Sequence, residues 1–208
     1  MKHIEKIVAS TIDYYDQNSD SLINDYDDAD MSSFYIFLKK HLPPQSNVLD
    51  IGFGSGRDLF YLKERGFHVW GVEASEKFVS KAKKRFHDIS ERFITSSLPY
   101  LELSKTYQNF FDVIISVAVW MHLPKETHTA SILSLRNLLK PKGKIILSYS
   151  ITKRHEQEMR FFEQIDRKIL KKDFNKLGFT LIDSTTNTDG LRNRNIIWVT
   201  EVYRYDQF

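Results

Sequence analysis

The sequence predicts an α/β fold, in which helices cover both faces of a mostly parallel sheet. Two observations support this prediction. Short apolar runs alternate with helical patterns from about residue 47 onward. The run FDVIISVAVW, residues 111–120, is nearly unbroken in its apolar character, as expected for a strand buried on both faces. Alternation of strands and helices places the strands side by side in a parallel sheet.

Two helices are predicted ahead of the sheet. Ile4, Ile7 and Val8 predict a short helix that ends near residues 14–15. A second helical period begins at Met31, and the two prolines at positions 43 and 44 stop it. The elements expected after it are strand 48–51, helix 58–65, strand 68–72, a helix capped by Ser75, strand 93–95, strand 111–120, helix 124–139, strand 144–150, a helix ending at Gly178, and an antiparallel pair at 179–185 and 196–203.

Composition bounds the class of protein. The chain has 208 residues, with 41% hydrophobic and 27% charged residues, which is ordinary for one globular domain. The chain contains no cysteine, so disulfides, thiolate metal sites and cysteine nucleophiles are excluded. Neither a signal peptide nor a stretch of about 20 apolar residues is visible. We therefore expect a cytoplasmic protein without a membrane segment.

Charge is unevenly distributed along the chain. Residues 1–30 hold eight acidic and two basic residues, which leaves 28 basic and 19 acidic residues in the remainder. A basic body can attract an anionic substrate. The alternative is a lysine-rich surface that serves solubility alone.

A glycine-rich loop stands between the first predicted strand and its helix. In VLDIGFGSGRDLF, residues 48–60, Asp50 is followed by Gly52, Gly54 and Gly56, and Arg57 stands where a dinucleotide fingerprint needs its third glycine. Such a loop lets a ligand approach backbone amides at a helix N-terminus. The Asp50 carboxylate would repel a pyrophosphate. The spacing therefore favours a ligand with a positively charged end over a dinucleotide.

A second acid follows at the end of the next strand. Glu73 stands 17 residues after Gly56. An acid in this position can accept both ribose hydroxyls of a nucleoside. The structural alternative is a solvated strand end.

From about residue 14 onward the chain resembles the class I S-adenosylmethionine-dependent methyltransferases, as a small, single-domain member of bacterial type. VLDIGFGSGRD is similar to their first motif, VWGVEAS to their second, FDVIISVAVWMHLP to their fourth-strand region, and LLKPKGKIILS to the turn before their fifth strand. The resemblance implies a Rossmann-like, seven-stranded sheet in the order 3-2-1-4-5-7-6 with strand 7 antiparallel. It also implies one methyltransferase domain over residues 1–208, with 1–45 as a helical arm or lid and 46–208 as the core.

The implied cofactor is S-adenosyl-L-methionine. Tyr14 and Tyr15, in the stretch YYDQNS, can close over its sulfonium group, because aromatic rings attract cations. Arg57 can pair with its carboxylate, and Ser96 and Ser97 stand where many members use an acid to hold the adenine. The predicted contacts are Tyr14, Tyr15, Asp50, Gly52, Phe53, Gly54, Gly56, Arg57, Glu73, Ala74, Ser96, Ser97, Leu98, Val117 and Trp120.

His122 is the candidate catalytic residue. It follows the fourth strand, at the sheet edge where ligands of open α/β sheets bind, and it can take a proton from an acceptor. The alternative is a histidine that only bonds a loop. Arg192 and Arg194 favour an anionic acceptor, and their alternative is a solvated hairpin. No histidine has a metal-binding spacing with acids, so no metal is expected.

The acceptor is expected to be an O- or N-nucleophile of a small molecule. Methylation of cytosine C5 needs a cysteine, which is absent. The Asn/Asp-Pro-Pro-aromatic loop of DNA amino-methyltransferases is also absent, which argues against nucleic acid. Methylation of a protein residue, a non-catalytic S-adenosylmethionine-binding partner protein, and an NAD-dependent oxidoreductase are the alternatives. We expect a monomer or a homodimer.

Overall fold

A seven-stranded sheet organises the molecule. The computed structural model describes residues 2–103, 105–153, 160–191 and 195–206. The strands are β1 Asn47–Ile51, β2 His68–Glu73, β3 Phe93–Thr95, β4 Phe111–Val117, β5 Leu139–Ser150, β6 Phe179–Thr188 and β7 Ile197–Tyr205. The helices are α1 Lys2–Asp27, α2 Ser32–Lys39, α3 Arg57–Lys63, α4 Glu76–Arg85, α5 His128–Leu138 and α6 Arg167–Lys176.

The strand order confirms the predicted topology. The strands lie in the order β3-β2-β1-β4-β5-β7-β6, and β7 runs antiparallel to both of its neighbours. β1 pairs in parallel with β2 on one side and with β4 on the other. The winding direction reverses between β1 and β4, so their carboxyl ends open a crevice suited to a ligand.

The two faces of the sheet bury separate apolar layers. Val48, Val113 and Ile146 pack with residues from α2, α3 and α4. Leu49 and Ile114, next to them along the same strands, pack with residues from α5 and α6. β4 is buried on both faces, which explains its unbroken apolar sequence.

Helix α1 is much longer than predicted. The prediction ended this helix near residues 14–15, whereas α1 continues to Asp27. Tyr15, Leu22, Ile23 and Tyr26 extend its apolar stripe and pack on the layer formed with α4. Tertiary packing of this stripe stabilises the second half of the helix, where acidic and polar residues interrupt the local pattern. None of the described helices combines the length and the apolarity that a membrane span requires.

Acidic residues of α1 face the start and the basic side of α4. Asp16 accepts a hydrogen bond from the Ser75 hydroxyl, Asp20 pairs with Lys81, and Asp27 accepts from Arg85 at 3.0 Å. The neighbouring Lys81 ammonium lowers the pKa of Asp20. The acidic arm seen in the sequence is therefore partly matched by the basic residues of one helix of the core.

We expect the docking of α1 to weaken with salt. The charges of its ion pairs are partly exposed, and the Debye length falls from about 10 Å at 0.1 M to about 3 Å at 1 M ionic strength. Hydrogen exchange of α1 amides should accelerate at high salt, while β4 amides stay protected. The double variant Asp20→Asn/Asp27→Asn should lose most of this salt dependence. Equal salt effects on the exchange of α1 and β4 amides would contradict the conclusion that ion pairs hold α1 on the core.

Candidate active site

A cavity of about 580 Å³ lies at the carboxyl ends of β1, β2 and β4. The glycine loop and the segments that follow β2 and β4 form one end of it. Helix α1 covers it, and the β6–β7 hairpin closes the other end. The cavity thus extends from the crevice between β1 and β4 to a second region, which lies between α1 and the ends of β6 and β7.

The glycine loop adopts a backbone that side chains disfavour. Gly52 has a φ of +73°, and a Cβ added there would lie 2.3 Å from Cγ2 of Val119. Its amide donates to the Val72 carbonyl at 2.7 Å, which fixes the start of the loop against β2. The loop therefore brings bare backbone to the cavity.

Asp50 has a buried carboxyl group, one oxygen of which accepts no hydrogen bond from the described residues. It is 2% exposed, and its Oδ1 has no hydrogen-bond partner among the described residues. Burial raises the pKa of Asp50 and the neighbouring Asp58 raises it further, whereas Arg57 acts in the opposite direction. A positively charged ligand group in this cavity would stabilise the ionised carboxylate.

Glu73 ties the glycine loop to the end of β2. Its Oε2 accepts from the Gly54 amide and its Oε1 from the Ser75 amide, both at 3.0 Å. Burial raises the pKa of Glu73, and hydrogen bonds from these two amides and from Ala74 oppose the increase. A carboxylate has about four acceptor sites, so Glu73 can still receive hydroxyl groups from a ligand.

Arg57 is engaged by its own neighbour. Its Nε and Nη2 donate to the two oxygens of Asp58 at 2.9 and 3.0 Å, and its Nη1 donates to the Tyr26 carbonyl at 2.9 Å. Tyr35 donates to the same carboxylate at 2.6 Å. The sequence predicted a contact between Arg57 and a cofactor carboxylate. Arg57 lines the cavity, but Asp58 already balances its charge.

Tyr15 and His122 form a hydrogen-bonded pair in the cavity. The Tyr15 hydroxyl lies 2.9 Å from His122 Nε2, and His122 Nδ1 lies 2.7 Å from the Phe161 carbonyl. A carbonyl oxygen only accepts, so Nδ1 carries the proton and Nε2 accepts from Tyr15. The Phe161 amide in turn donates to Thr11 Oγ1 at 3.1 Å. Burial raises the pKa of Tyr15, while Arg160 acts to lower it.

Known proteins share both the sequence motifs and the fold. A family described as a methyltransferase domain matches residues 48–143. This match supports the predicted resemblance to the class I S-adenosylmethionine-dependent methyltransferases. The cofactor prediction, S-adenosyl-L-methionine, is confirmed at the level of this family.

Two curated methyltransferases illustrate the sequence similarity. Phosphoethanolamine N-methyltransferase of Triticum aestivum is 35% identical over 109 residues, which cover 51% of this chain and 21% of that protein. The Plasmodium falciparum (isolate 3D7) enzyme of the same name is 28% identical over 130 residues, which cover 61% and 48%. The chain spans about half or less of the curated relatives it matches, from 21% to 54% of their length.

A solved methyltransferase illustrates the similarity of fold. The 1,6-didemethyltoxoflavin-N1-methyltransferase of Burkholderia thailandensis, with bound 1,6-didemethyltoxoflavin and S-adenosylhomocysteine, superposes with a TM-score of 0.82 at 19% identity. The match covers 98% of this chain and 91% of that one. The shared architecture therefore includes the arm as well as the sheet.

The cavity brings most of the predicted site residues together. Those that line it are Tyr15, Asp50, Gly52, Phe53, Gly54, Arg57, Glu73, Ala74, Ser96, Ser97, Leu98, Val117 and His122. Tyr14, Gly56 and Trp120 do not line it. The Trp120 indole is fully buried and packs on His128 and Phe174, because the turn after β4 directs this side chain into the core. Arg192 and Arg194 lie outside the described residues.

Sequence reasoning missed the part of the cavity built from distant segments. Thr11 and Tyr26 enter from α1, and Arg160, Asn187 and Thr200 enter from the last third of the chain. The continued apolar stripe of α1 was a usable signal for Tyr26. Asn187 and Thr200 carry no such signal, because polar residues near a strand end are common on any surface.

We expect Asp50→Asn to stabilise the free protein and to weaken its cofactor binding. The pKa of Asp50 is raised in the folded protein, so ionisation of this carboxyl opposes folding. Stability is therefore lost as pH rises from the ordinary pKa of about 3.9 towards the folded value. The amide removes this loss, so the melting temperature of the variant should exceed that of the wild type near neutral pH. If Asp50 binds the cofactor's ammonium group, affinity should fall about tenfold to a hundredfold.

Asp58→Asn is the matched control for this measurement. The Asp58 carboxylate is hydrogen-bonded to Arg57 and Tyr35, so its neutralisation should lower the melting temperature. Thermal unfolding across a pH series and calorimetric titration with S-adenosylmethionine check both variants. An Asp50→Asn protein with wild-type affinity would remove this carboxylate from the binding site.

Proposed function

We propose that this protein transfers a methyl group from S-adenosylmethionine to a nitrogen or oxygen nucleophile of a small molecule. The observation that carries the proposal is the Tyr15–His122 hydrogen bond, which puts a proton acceptor inside the cavity beside the glycine loop. Similarity to enzymes named for phosphoethanolamine and didemethyltoxoflavin methylation supports a small acceptor. The helix that covers the cavity favours a small molecule over a protein side chain.

The residues at the glycine-loop end fit the cofactor. Asp50 would hold the ammonium group, Glu73 the ribose hydroxyls, and Ser97 and Leu98 the adenine. Ser96 is less available as an acceptor, because its Oγ already accepts from the Glu102 amide at 3.0 Å. When bound, the cofactor supplies a methyl group on a positively charged sulfur, which is a good leaving group. Alignment of the acceptor with that methyl supplies most of the rate.

Tyr15 and His122 would remove the proton that the acceptor releases. Methyl transfer would leave the electron pair of the carbon–sulfur bond on the cofactor's sulfur, and the acceptor would then have a proton to lose. The acceptor's proton passes to the Tyr15 oxygen while the Tyr15 proton passes to His122 Nε2. The resulting imidazolium donates from Nδ1 to the Phe161 carbonyl. Burial raises the pKa of Tyr15, so its hydroxyl acts as a relay and His122 as the base.

A non-catalytic cofactor-binding protein is the alternative from another class. Such a protein needs the glycine loop, Asp50 and Glu73, but it has no use for a partly buried proton acceptor in the same cavity. The Tyr15–His122 pair therefore favours turnover.

We also propose that residues 1–45 act as a lid. Val8, Thr11, Ile12, Tyr15 and Tyr26 of α1 line the cavity, so movement of the helix would widen the way into it. We expect slower hydrogen exchange of α1 amides in the presence of S-adenosylhomocysteine, because the ligand adds contacts to the closed arm. Exchange at α6, on the other sheet face, serves as the control. Unchanged exchange of α1 would make the arm a fixed structural element.

We expect His122→Ala to lower turnover by roughly two to four orders of magnitude, with cofactor affinity nearly intact. Wild-type turnover should fall as pH drops far enough to protonate the free imidazole, because the imidazolium cannot accept a proton. Tyr15→Phe should also lower turnover, because the relay hydroxyl is lost. Tyr14→Phe is the matched control, since Tyr14 does not line the cavity.

The assay needs an acceptor, so a screen of amine, heterocycle and hydroxyl metabolites with methyl-labelled cofactor comes first. A folded His122→Ala protein with wild-type turnover from about pH 5.5 to 8.5 would exclude the base. Catalysis by alignment alone would then explain the reaction.

A further inference from the structure

The cavity end away from the glycine loop has a floor of uncharged polar side chains. Ser148 of β5 lies opposite Thr200 of β7, and Asn187 lies at the end of β6. All three line the cavity. Ser148 and Thr200 are 5% and 1% exposed, so their hydroxyls are not surface groups.

This floor offers hydrogen bonds to a ligand. Thr200 Oγ1 lies 3.2 Å from Ser148 Oγ, so the two hydroxyls share one of their two protons and the other remains available. The Asn187 carboxamide is half-buried, and within the described part of the chain no hydrogen bond involves its side chain. Together the three residues present both donors and acceptors without a formal charge.

The cations that line the cavity are already engaged. Arg57 is paired with Asp58 and the Tyr26 carbonyl. Arg160 Cζ lies 4.3 Å from the centre of the Tyr14 ring and 5.5 Å from that of the Phe162 ring. The other charged residues among the described lining are acids, namely Asp30, Asp50, Asp58, Glu73 and Asp189. An anionic acceptor would therefore meet more negative than positive charge in this part of the molecule.

We propose that Ser148, Asn187 and Thr200 recognise the methyl acceptor, and that the acceptor is a neutral molecule with adjacent carbonyl and N–H groups, as in a lactam ring. The inference rests on the proposed methyltransferase function. The Asn187 carboxamide is complementary to a lactam edge, because each presents one donor beside one acceptor. The spare hydroxyl proton of the Ser148–Thr200 pair would serve a second carbonyl. A site of this kind rejects analogues that leave its buried polar groups unpaired.

Calorimetric titration with three probes tests the chemical class. Quinazoline-2,4-dione is a neutral lactam, its 7-carboxylate adds one negative charge, and phosphoethanolamine represents a small anionic acceptor. Each is titrated into protein saturated with S-adenosylhomocysteine and into free protein. We expect the dione to bind and its carboxylate to bind at least tenfold more weakly. Absence of dione binding to both forms, or tighter binding of phosphoethanolamine, would overturn the proposal.

Variants of the floor identify the residues. Asn187→Asp replaces the amide donor by a carboxylate, and Thr200→Val removes a hydroxyl with little change of shape. Each should weaken dione binding by about threefold to tenfold, as expected for one neutral hydrogen bond. Thr185→Val is the control, because Thr185 pairs with Thr200 across the strands but does not line the cavity.

The outcomes separate this inference from the proposed function. Equal dione affinities of Thr200→Val and Thr185→Val, together with wild-type affinity of Asn187→Asp, would overturn the acceptor site alone. Asn187 is half-buried at a strand end, so its variant remains informative if the buried Thr200→Val protein fails to fold. Failure of S-adenosylhomocysteine to bind would instead overturn the proposed function, and the titration of free protein with dione would still decide the present inference.

Discussion

The cavity depends on the hydrogen bonds that the Glu73 carboxylate accepts. The carboxylate receives the amides of Gly54 and Ser75, and so joins the glycine loop, the end of β2 and the start of α4. Ser75 continues this chain, because its Oγ accepts from the Phe78 amide to cap α4 and its hydroxyl donates to Asp16 of α1. One buried acid thus links the glycine loop to helix α1, which covers the cavity. Loss of the acid would leave two loop amides without partners at a buried site, where each unmade hydrogen bond costs about 1–3 kcal/mol.

The contacts between α1 and α4 also change how the uneven charge along the chain is interpreted. An acidic arm beside a basic body suggested attraction of an anionic substrate. In the structure, the carboxylates of Asp16, Asp20 and Asp27 turn to α4, where Lys81 and Arg85 meet two of them. Part of the basic character of the body is therefore used to hold the arm. Net charge summed over a segment describes long-range attraction, but a pair in contact contributes little to the field that an approaching ligand meets.

The sequence was sufficient for the sheet, and most of the residues that it predicted for the site line one cavity. β1, β2 and β4 are apolar runs with clear turn signals, and the glycine loop and Glu73 follow from strand ends. The features that the sequence did not reveal share a physical cause, namely contacts between distant residues. The carbonyl that Arg57 binds lies 31 positions away in Tyr26, and Tyr15 is 107 positions from His122. Trp120 ends the apolar run of the sequence, and nothing local shows that the turn after β4 points its indole into the core.

Helix α1 holds both sides of the candidate base. Tyr15 meets His122 Nε2, and Thr11, one turn earlier on the same helix face, accepts from the Phe161 amide. The Phe161 carbonyl in turn fixes the proton on His122 Nδ1. Movement of the helix away from the core would remove the relay hydroxyl and release the segment that sets the histidine tautomer. In the proposed reaction, exclusion of water and assembly of the proton acceptor are therefore one event. If the arm opens as proposed, the cofactor's methyl group would meet solvent only while Tyr15 and His122 are apart and cannot accept a proton together.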